Sequence, residues 1–218
     1  IGSFHSRAGD HEKALETYFQ ALSDVGSDEK LKLTGELYSK IGDTYVKNGM
    51  KDKAYPFMKK CLPILSAHGE KVAVAYISNY LGYLYWQESA LDSSLVYYMK
   101  ALALRESAGD KKGMAVTSNN IGIVHYQRGD HEQALGYYLK AERLMEALGD
   151  SVNSAVYLNN IGITYRDWGK TDEAHAHFER ALSIGRATGN SFAIGYSLNN
   201  IGTVYEKKGD HAAALDYY

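Results

Sequence analysis

Histidine beside glutamate is the first arrangement in this chain that could do chemistry. His11-Glu12 and His131-Glu132 begin like a zinc-protease helix, which needs a second histidine four residues after the first. That position is Leu15 or Leu135, so the pattern fails. His175 and His177 lie two apart, about 200° around a helix axis, and cannot chelate one metal together. No glycine-rich phosphate loop, nucleophile elbow or isolated carboxylate pair is present, so no catalytic residue, metal or cofactor is expected. The asparagine pairs Asn119-Asn120, Asn159-Asn160 and Asn199-Asn200 offer a different chemistry. An amide both donates and accepts, so a row of amides along a surface can hydrogen-bond a peptide backbone whatever its side chains.

Composition narrows the class of partner. The 24 Lys+Arg against 26 Asp+Glu give a formal net charge of −2, which leaves no electrostatic excess to draw nucleic acid or an anionic membrane. Apolar runs such as Val72 to Ile77 are too short to span a bilayer. Cys61 is the single cysteine and has no internal disulfide partner, which suits a reducing compartment. The chain opens Ile-Gly-Ser-Phe-His with no initiator methionine and no signal peptide. A cytoplasmic location is expected, with both ends falling inside a repeat.

What positions the amides is a repeat. Asn119-Asn120-Ile121-Gly122 recurs at Asn159 to Gly162 and Asn199 to Gly202, and the same register holds Gly82, Gly42 and Gly2, six glycines at a spacing of 40. Three residues after each comes a ring: His5, Tyr45, Tyr85, His125, Tyr165 and Tyr205. Seven after stands Gly9, Gly49, Ser89, Gly129, Gly169 or Gly209, and twelve after a small residue, Ala14, Ala54, Ser94, Ala134, Ala174 or Ala214. Four further on comes a ring or thioether: Tyr18, Met58, Tyr98, Tyr138, Phe178, Tyr218. Apolar residues three or four apart, as in Ile77, Leu81, Leu84 and Tyr85, make the stripe of an amphipathic helix. Gly-Asp at 9–10, 129–130 and 209–210 ends one helix and offers Asp as N-cap to the next. Each unit thus reads as helix A, turn, helix B, turn. Mid-helix glycine costs about 1 kcal/mol against alanine, so its recurrence implies a contact too close for a Cβ. One hairpin cannot bury its own stripe, and stacking on neighbours supplies a continuous core.

The succession of glycine, ring, glycine, alanine, ring and alanine resembles the tetratricopeptide repeat over all 218 residues. The family's usual tryptophan, four residues before the glycine, is Tyr38, Ser78, Ser118, Leu158 or Leu198 here. The 40-residue period is similar to the extended-helix arrays of kinesin light chains, Pins/LGN proteins and bacterial regulators and sensors. The resemblance implies an all-α fold, a right-handed α-solenoid of stacked antiparallel helix hairpins, with the A helices on the concave side. Residues 1–218 would form one array, with repeats 30–69, 70–109, 110–149 and 150–189 between partial repeats 1–29 and 190–218. Two lapses stand out: Pro56 and Pro63 predict a kinked or irregular helix, and Ser89 in place of a turn glycine predicts an altered turn.

Steps of three, four and three residues keep side chains on one helical face. The A-helix columns are therefore Glu36, Ser39, Asp43, Val46; Tyr76, Asn79, Tyr83, Trp86; Val116, Asn119, Ile123, Tyr126; Val156, Asn159, Ile163, Arg166; and Tyr196, Asn199, Thr203, Glu206. A protein or peptide ligand is the expected occupant, with Tyr76, Asn79, Tyr83, Trp86, Asn119, Ile123, Tyr126, Asn159, Ile163, Arg166 and Asn199 as its contacts. Adjacent residues point about 100° apart, so the first asparagine of each pair is assigned to the groove and Asn120, Asn160 and Asn200 to ties between hairpins. The alternative for the aromatics is mutual burial among neighbouring A helices. Similar arrays clamp a chaperone tail's carboxylate with several basic side chains, and these columns hold only Arg166. The competing function is homo-oligomerisation, through open terminal repeats or through the pairs Tyr97-Tyr98, Tyr137-Tyr138 and Tyr217-Tyr218. Catalysis would have to lie outside this sequence.

Overall fold

The computed structural model describes residues 10–26 and 31–218; Gly2, His5 and Gly9 lie outside them. Among the described residues every regular element is an α-helix. The chain divides after Gly109 into two compact units. The first holds α1 (His11–Val25), α2 (Lys32–Lys47), α3 (Lys51–Ala67), α4 (Lys71–Gln87) and α5 (Leu91–Ala108). The second holds α6 (Lys111–Gln127), α7 (His131–Leu148), α8 (Ser151–Asp167), α9 (Thr171–Thr188), α10 (Ser191–Lys207) and α11 (His211–Tyr217). Within each unit every helix packs on the next, and α8 also touches α10. The A helices are α2, α4, α6, α8 and α10, each followed by its B helix, so both units are stretches of an α-solenoid.

The glycine column does what its spacing requires. A Cβ on Gly82 would sit 2.7 Å from the Tyr98 ring, and one on Gly122 2.6 Å from the Tyr138 ring. Gly162 meets Phe178 and Gly202 meets Tyr218 in the same way. The intruder is a side chain sixteen residues later on the B helix, not a neighbouring backbone. Burying that ring offsets the glycine's helix cost of about 1 kcal/mol. In unit 1 the partner of Gly42 is the thioether of Met58, with its Cε at 3.1 Å.

A second column of rings clamps the open side of each hairpin. Tyr85 stacks on Tyr97, His125 on Tyr137, Tyr165 on His177 and Tyr205 on Tyr217, with centroids 5.3 to 5.6 Å apart. Of the tyrosine pairs on the B helices, Tyr98 and Tyr138 are buried at 2% exposure and Tyr97 and Tyr137 lie in the stacks, whereas Tyr218 beside the stacked Tyr217 is 60% exposed.

The turn after α4 corrects one expectation. Ser89 adopts φ 58°, the left-handed conformation its glycine counterparts hold. Its N–H reaches the Trp86 carbonyl at 3.0 Å, and the Ala90 N–H reaches the Tyr85 carbonyl at 2.9 Å. Gly129 and Asp130 make the same two bonds to Tyr126 and His125, so the turn is unaltered and only its residue is strained. The helix carrying Pro56 and Pro63 runs unbroken from Lys51 to Ala67. Capping follows the sequence at Asp10, Asp110, Asp150, Asn190 and Asp210. Asp130 makes no cap bond; its carboxylate lies 3.4 Å from His125 Nδ1 instead.

Candidate functional site

The faces of the A helices differ between the units. In unit 1, α2 and α4 are joined by partly exposed polar side chains. The Tyr76 hydroxyl donates to Asp43 Oδ1 at 2.7 Å, and burial together with that carboxylate pushes its pKa well above the phenol range. Lys32 bridges to Glu70 at 2.5 Å and Glu36 at 3.6 Å. Asn79 is half-buried. Tyr83 and Trp86 stack on each other, centroids 5.8 Å apart at 26°. Gln87 Nε2 donates to the Tyr83 hydroxyl at 2.7 Å, and Lys51 Nζ, 5.4 Å from the Tyr83 ring centre, donates to Gln87 Oε1. Trp86 Nε1 is buried without a partner. Tyr83 and Trp86, both half-buried, therefore cover each other within α4. Sequence reasoning missed Lys51 and Gln87; the i,i+4 spacing of Tyr83 and Gln87 was the available signal.

In unit 2 the asparagines form a ladder between A helices. Asn160 Nδ2 donates to Asn119 Oδ1 at 2.8 Å, joining α8 to α6. Asn159 is 1% exposed; its Nδ2 donates to the Ala155 carbonyl and to Ser197 Oγ at 3.0 and 3.1 Å, and its Oδ1 accepts from Asn200 Nδ2 at 3.2 Å. The assignment of Asn159 to the groove is therefore corrected: α8 is rotated so that the amide points at α10. Asn119 is half-buried and Asn199 is exposed.

Beyond the ladder, toward the C-terminal ends of the A helices, lies a charged network. Tyr126 Oη donates to Asp167 Oδ2 at 2.5 Å, and burial with that contact pushes the phenol up to about 12. Arg166 Nε reaches Asp167 Oδ1 at 2.9 Å, Arg166 Nη1 reaches Thr203 Oγ1 at 3.1 Å, and Lys207 Nζ reaches Asp167 Oδ1 at 3.4 Å. Burial would raise the Asp167 carboxyl, but the Arg166 and Tyr126 hydrogen bonds and the Arg166 and Lys207 charges hold it below the usual carboxylate range. Arg166 is thus a brace between helices. Ile123 and Ile163 are half-buried against core clusters.

On the other side of the ladder, toward the N-terminal ends of α8 and α10, the face is apolar and open. Val152 and Val156 are 47% and 40% exposed; Phe192 and Tyr196 are 76% and 39% exposed, with their rings stacked 6.0 Å apart. Val116 lies half-buried at the matching position of α6. Val156 and Tyr196 were in the expected columns, whereas Val152 and Phe192, one turn earlier, were missed. Extending the columns back by four residues would have found them.

Among the described residues no three His, Cys, Asp or Glu side chains come together as metal ligands. His175 packs edge-on against Tyr205 of α10 while His177 stacks on Tyr165 of α8. Cys61 is fully buried, and burial pushes its thiol up to about 12, so its thiolate is scarce near neutral pH. No described helix is long and apolar enough to cross a membrane.

A tetratricopeptide repeat family model matches residues 71–147 and 113–187, and a second matches 35–64 and 196–218. No curated protein matches the sequence. Among solved structures, BtubC (BKLC) from P. vanneervenii superposes with a TM-score of 0.76 at 22% identity, over 96% of this chain and 85% of that one. MamA superposes at 0.68 and 21% identity, over 87% of this chain and 96% of its own. A Signal Transduction ATPase with Numerous Domains protein with a tetratricopeptide repeat sensor, from Pyrococcus horikoshii, superposes at 0.75 and 17% identity, over all of this chain and 34% of that one. At these identities the likeness is one of fold.

Proposed function

The chain belongs to the tetratricopeptide repeat family, and from that premise we propose that it is a scaffold which holds a protein or peptide partner against the exposed faces of its A helices. Tetratricopeptide repeats generally serve as protein-interaction scaffolds and are typically non-catalytic. The observation that carries the reading is the apolar strip on α8 and α10. Large apolar side chains exposed singly are ordinary, but four placed side by side on two packed helices mark a surface that gains by being covered. The strip lies on the face opposite the ring stacks that close the hairpins, so covering it disturbs no core contact.

The test is affinity capture with the chain as bait, repeated with Val156→Asp combined with Tyr196→Asp. Each aspartate places an unpaired charge where an apolar contact would be desolvated, a change that costs binding several kcal/mol, on the order of 3. Loss of the captured protein with an unchanged helical circular dichroism signal supports the proposal. Equal capture by both baits rejects this face as the binding surface.

A further inference from the structure

We propose that Tyr55, on α3 of unit 1, is a modification site, the tyrosine whose phenolic oxygen takes up sulfonyl, phosphoryl or acyl groups from electrophiles of that class. Its place in the repeat is the first pointer. Counted by the period, the equivalents of Tyr55 are Leu15, Leu95, Leu135, His175 and Leu215, and those of Lys59 are Phe19, Met99, Leu139 and Glu179. The scaffold therefore has no need of a phenol and an ammonium one helical turn apart, and among the described residues only α3 puts both at these positions. The geometry is the second pointer. Tyr55 Oη lies 2.7 Å from Tyr85 Oη of α4, and Lys59 Nζ lies 5.2 Å from the Tyr55 ring centre. An ammonium only donates, so the Tyr55 oxygen is the acceptor and Tyr85 the hydroxyl that donates between the two phenols. Tyr85 is held for this by its stack on Tyr97, centroids 5.3 Å apart. Tyr55 is half-buried and Lys59 exposed, which leaves the oxygen within reach of a small molecule from solvent.

Donors aimed at one oxygen favour its charged form. The Tyr85 hydrogen bond, and after it the Lys59 ammonium, hold the Tyr55 phenol below its ordinary 10.0 against burial and the Glu88 carboxylate, which oppose them. Tyr85, at the other end of the bond, is pushed up. An unperturbed phenol at neutral pH is ionised in about one molecule in a thousand, and each unit of lowering multiplies that fraction about 10-fold. Nucleophilic reactivity follows the ionised fraction. In the reaction the phenolate oxygen forms a bond to sulfur, phosphorus or a carbonyl carbon, the leaving group departs with the electron pair, and the phenol proton goes to water. Tyr45 supplies an internal reference. It has an ammonium, Lys53 Nζ, 5.9 Å from its ring centre, but it stacks on Phe57, which has no hydroxyl to donate.

The test treats the full chain with an aryl sulfonyl fluoride, which forms an oxygen–sulfur bond and releases fluoride, and maps the label by peptide mass spectrometry across a pH series. Of the 19 tyrosines, Tyr55 should be labelled first, about 10-fold faster than Tyr45 near neutral pH, with its pH–rate midpoint on the acid side of the Tyr45 midpoint. Tyr85→Phe and Lys59→Met should each slow Tyr55 by about 10-fold and move its midpoint upward while Tyr45 reacts as before. Lys59→Arg, which keeps the charge, should keep the rate. Lys59 is exposed, so its variants read the effect even where Tyr85→Phe disturbs packing. Labelling of Tyr55 no faster than of Tyr45, label on Lys59 in its place, or a Tyr55 rate indifferent to the loss of the Lys59 charge overturns the proposal.

Discussion

Unit 1 and unit 2 are built on the same 40-residue register, yet unit 2 adds buried amides to the partly exposed contacts that join its A helices. Unit 1 uses partly exposed contacts: Tyr76 with Asp43, Lys32 with Glu70, and Lys51 through Gln87 to Tyr83. Unit 2 puts amides inside, where Asn159 and Asn200 meet at 1% and 4% exposure. The two residues before Ile41, Ser39-Lys40, cannot make such a ladder, and the corresponding Asn79-Tyr80 carries one amide. Exposed polar pairs contribute about 0–1 kcal/mol each, whereas a buried amide that loses its partner costs about 1–3 kcal/mol. The same fold can therefore be held loosely or tightly by what occupies two positions per repeat.

The largest expected effect breaks the ladder. Asn159→Ala leaves Asn200 Nδ2 and Ser197 Oγ buried with a partner removed, and should destabilise unit 2 by about 3 kcal/mol. Ser39→Ala, at the matching position of unit 1, should cost under about 0.5 kcal/mol. Hydrogen exchange resolved by unit reads both, and equal effects would remove the distinction between the units. Next comes the glycine column. Gly122→Ala drives a methyl into the Tyr138 ring and should cost about 2 kcal/mol. Gly42→Ala meets the flexible end of Met58 and should be near neutral, because alanine recovers about 1 kcal/mol of helix propensity. Urea titration of the two variants checks the pair.

A smaller effect sharpens the comparison at the turns. Ser89 holds a positive φ that costs an L-residue about 1–2 kcal/mol, so Ser89→Gly should stabilise unit 1 by about 1 kcal/mol, and Gly129→Ser should take a similar amount from unit 2. Opposite shifts in thermal midpoint are the expected reading. The smallest effect is one of pH. Burial and the nearby Arg180 charge lower the His177 pKa below its ordinary 6.5, so the folded protein refuses a proton that the unfolded chain accepts. Stability is full above that value and falls as pH drops below it. His177→Gln should flatten that fall, measured by chemical denaturation between neutral and mildly acid pH. The equivalent stack in unit 1 pairs two tyrosines, Tyr85 on Tyr97, and holds no imidazole.

The fold was legible because each structural demand recurs. A glycine and a ring sixteen residues later appear in register along the chain, and they are the two halves of one contact, as Gly122 and Tyr138 show. Ser89 was misread as a changed turn because residue type alone does not reveal that two good hydrogen bonds can hold serine at positive φ. The site was less legible for a geometric reason. Neighbouring residues on a helix differ by about 100°, so a small rotation of α8 decides whether Asn159 or Asn160 faces outward, and in the structure Asn159 is turned toward Ser197 and Asn200 of α10. The mutual covering of Tyr83 and Trp86 likewise depends on rotamers, with Gln87 and Lys51 bracing Tyr83. The strip of Val152, Val156, Phe192 and Tyr196 was half visible, because helical spacing places such residues on one face but does not say how far along the helix the open surface extends.

Deuterium uptake across the chain, with and without a protein recovered by affinity capture, addresses the binding surface directly. Segments 151–157 and 191–197 should gain protection when the partner is present, while the outer residues of α7 and α9 exchange as before. Protection confined to those B helices, with the N-terminal turns of α8 and α10 unaffected, would contradict the account.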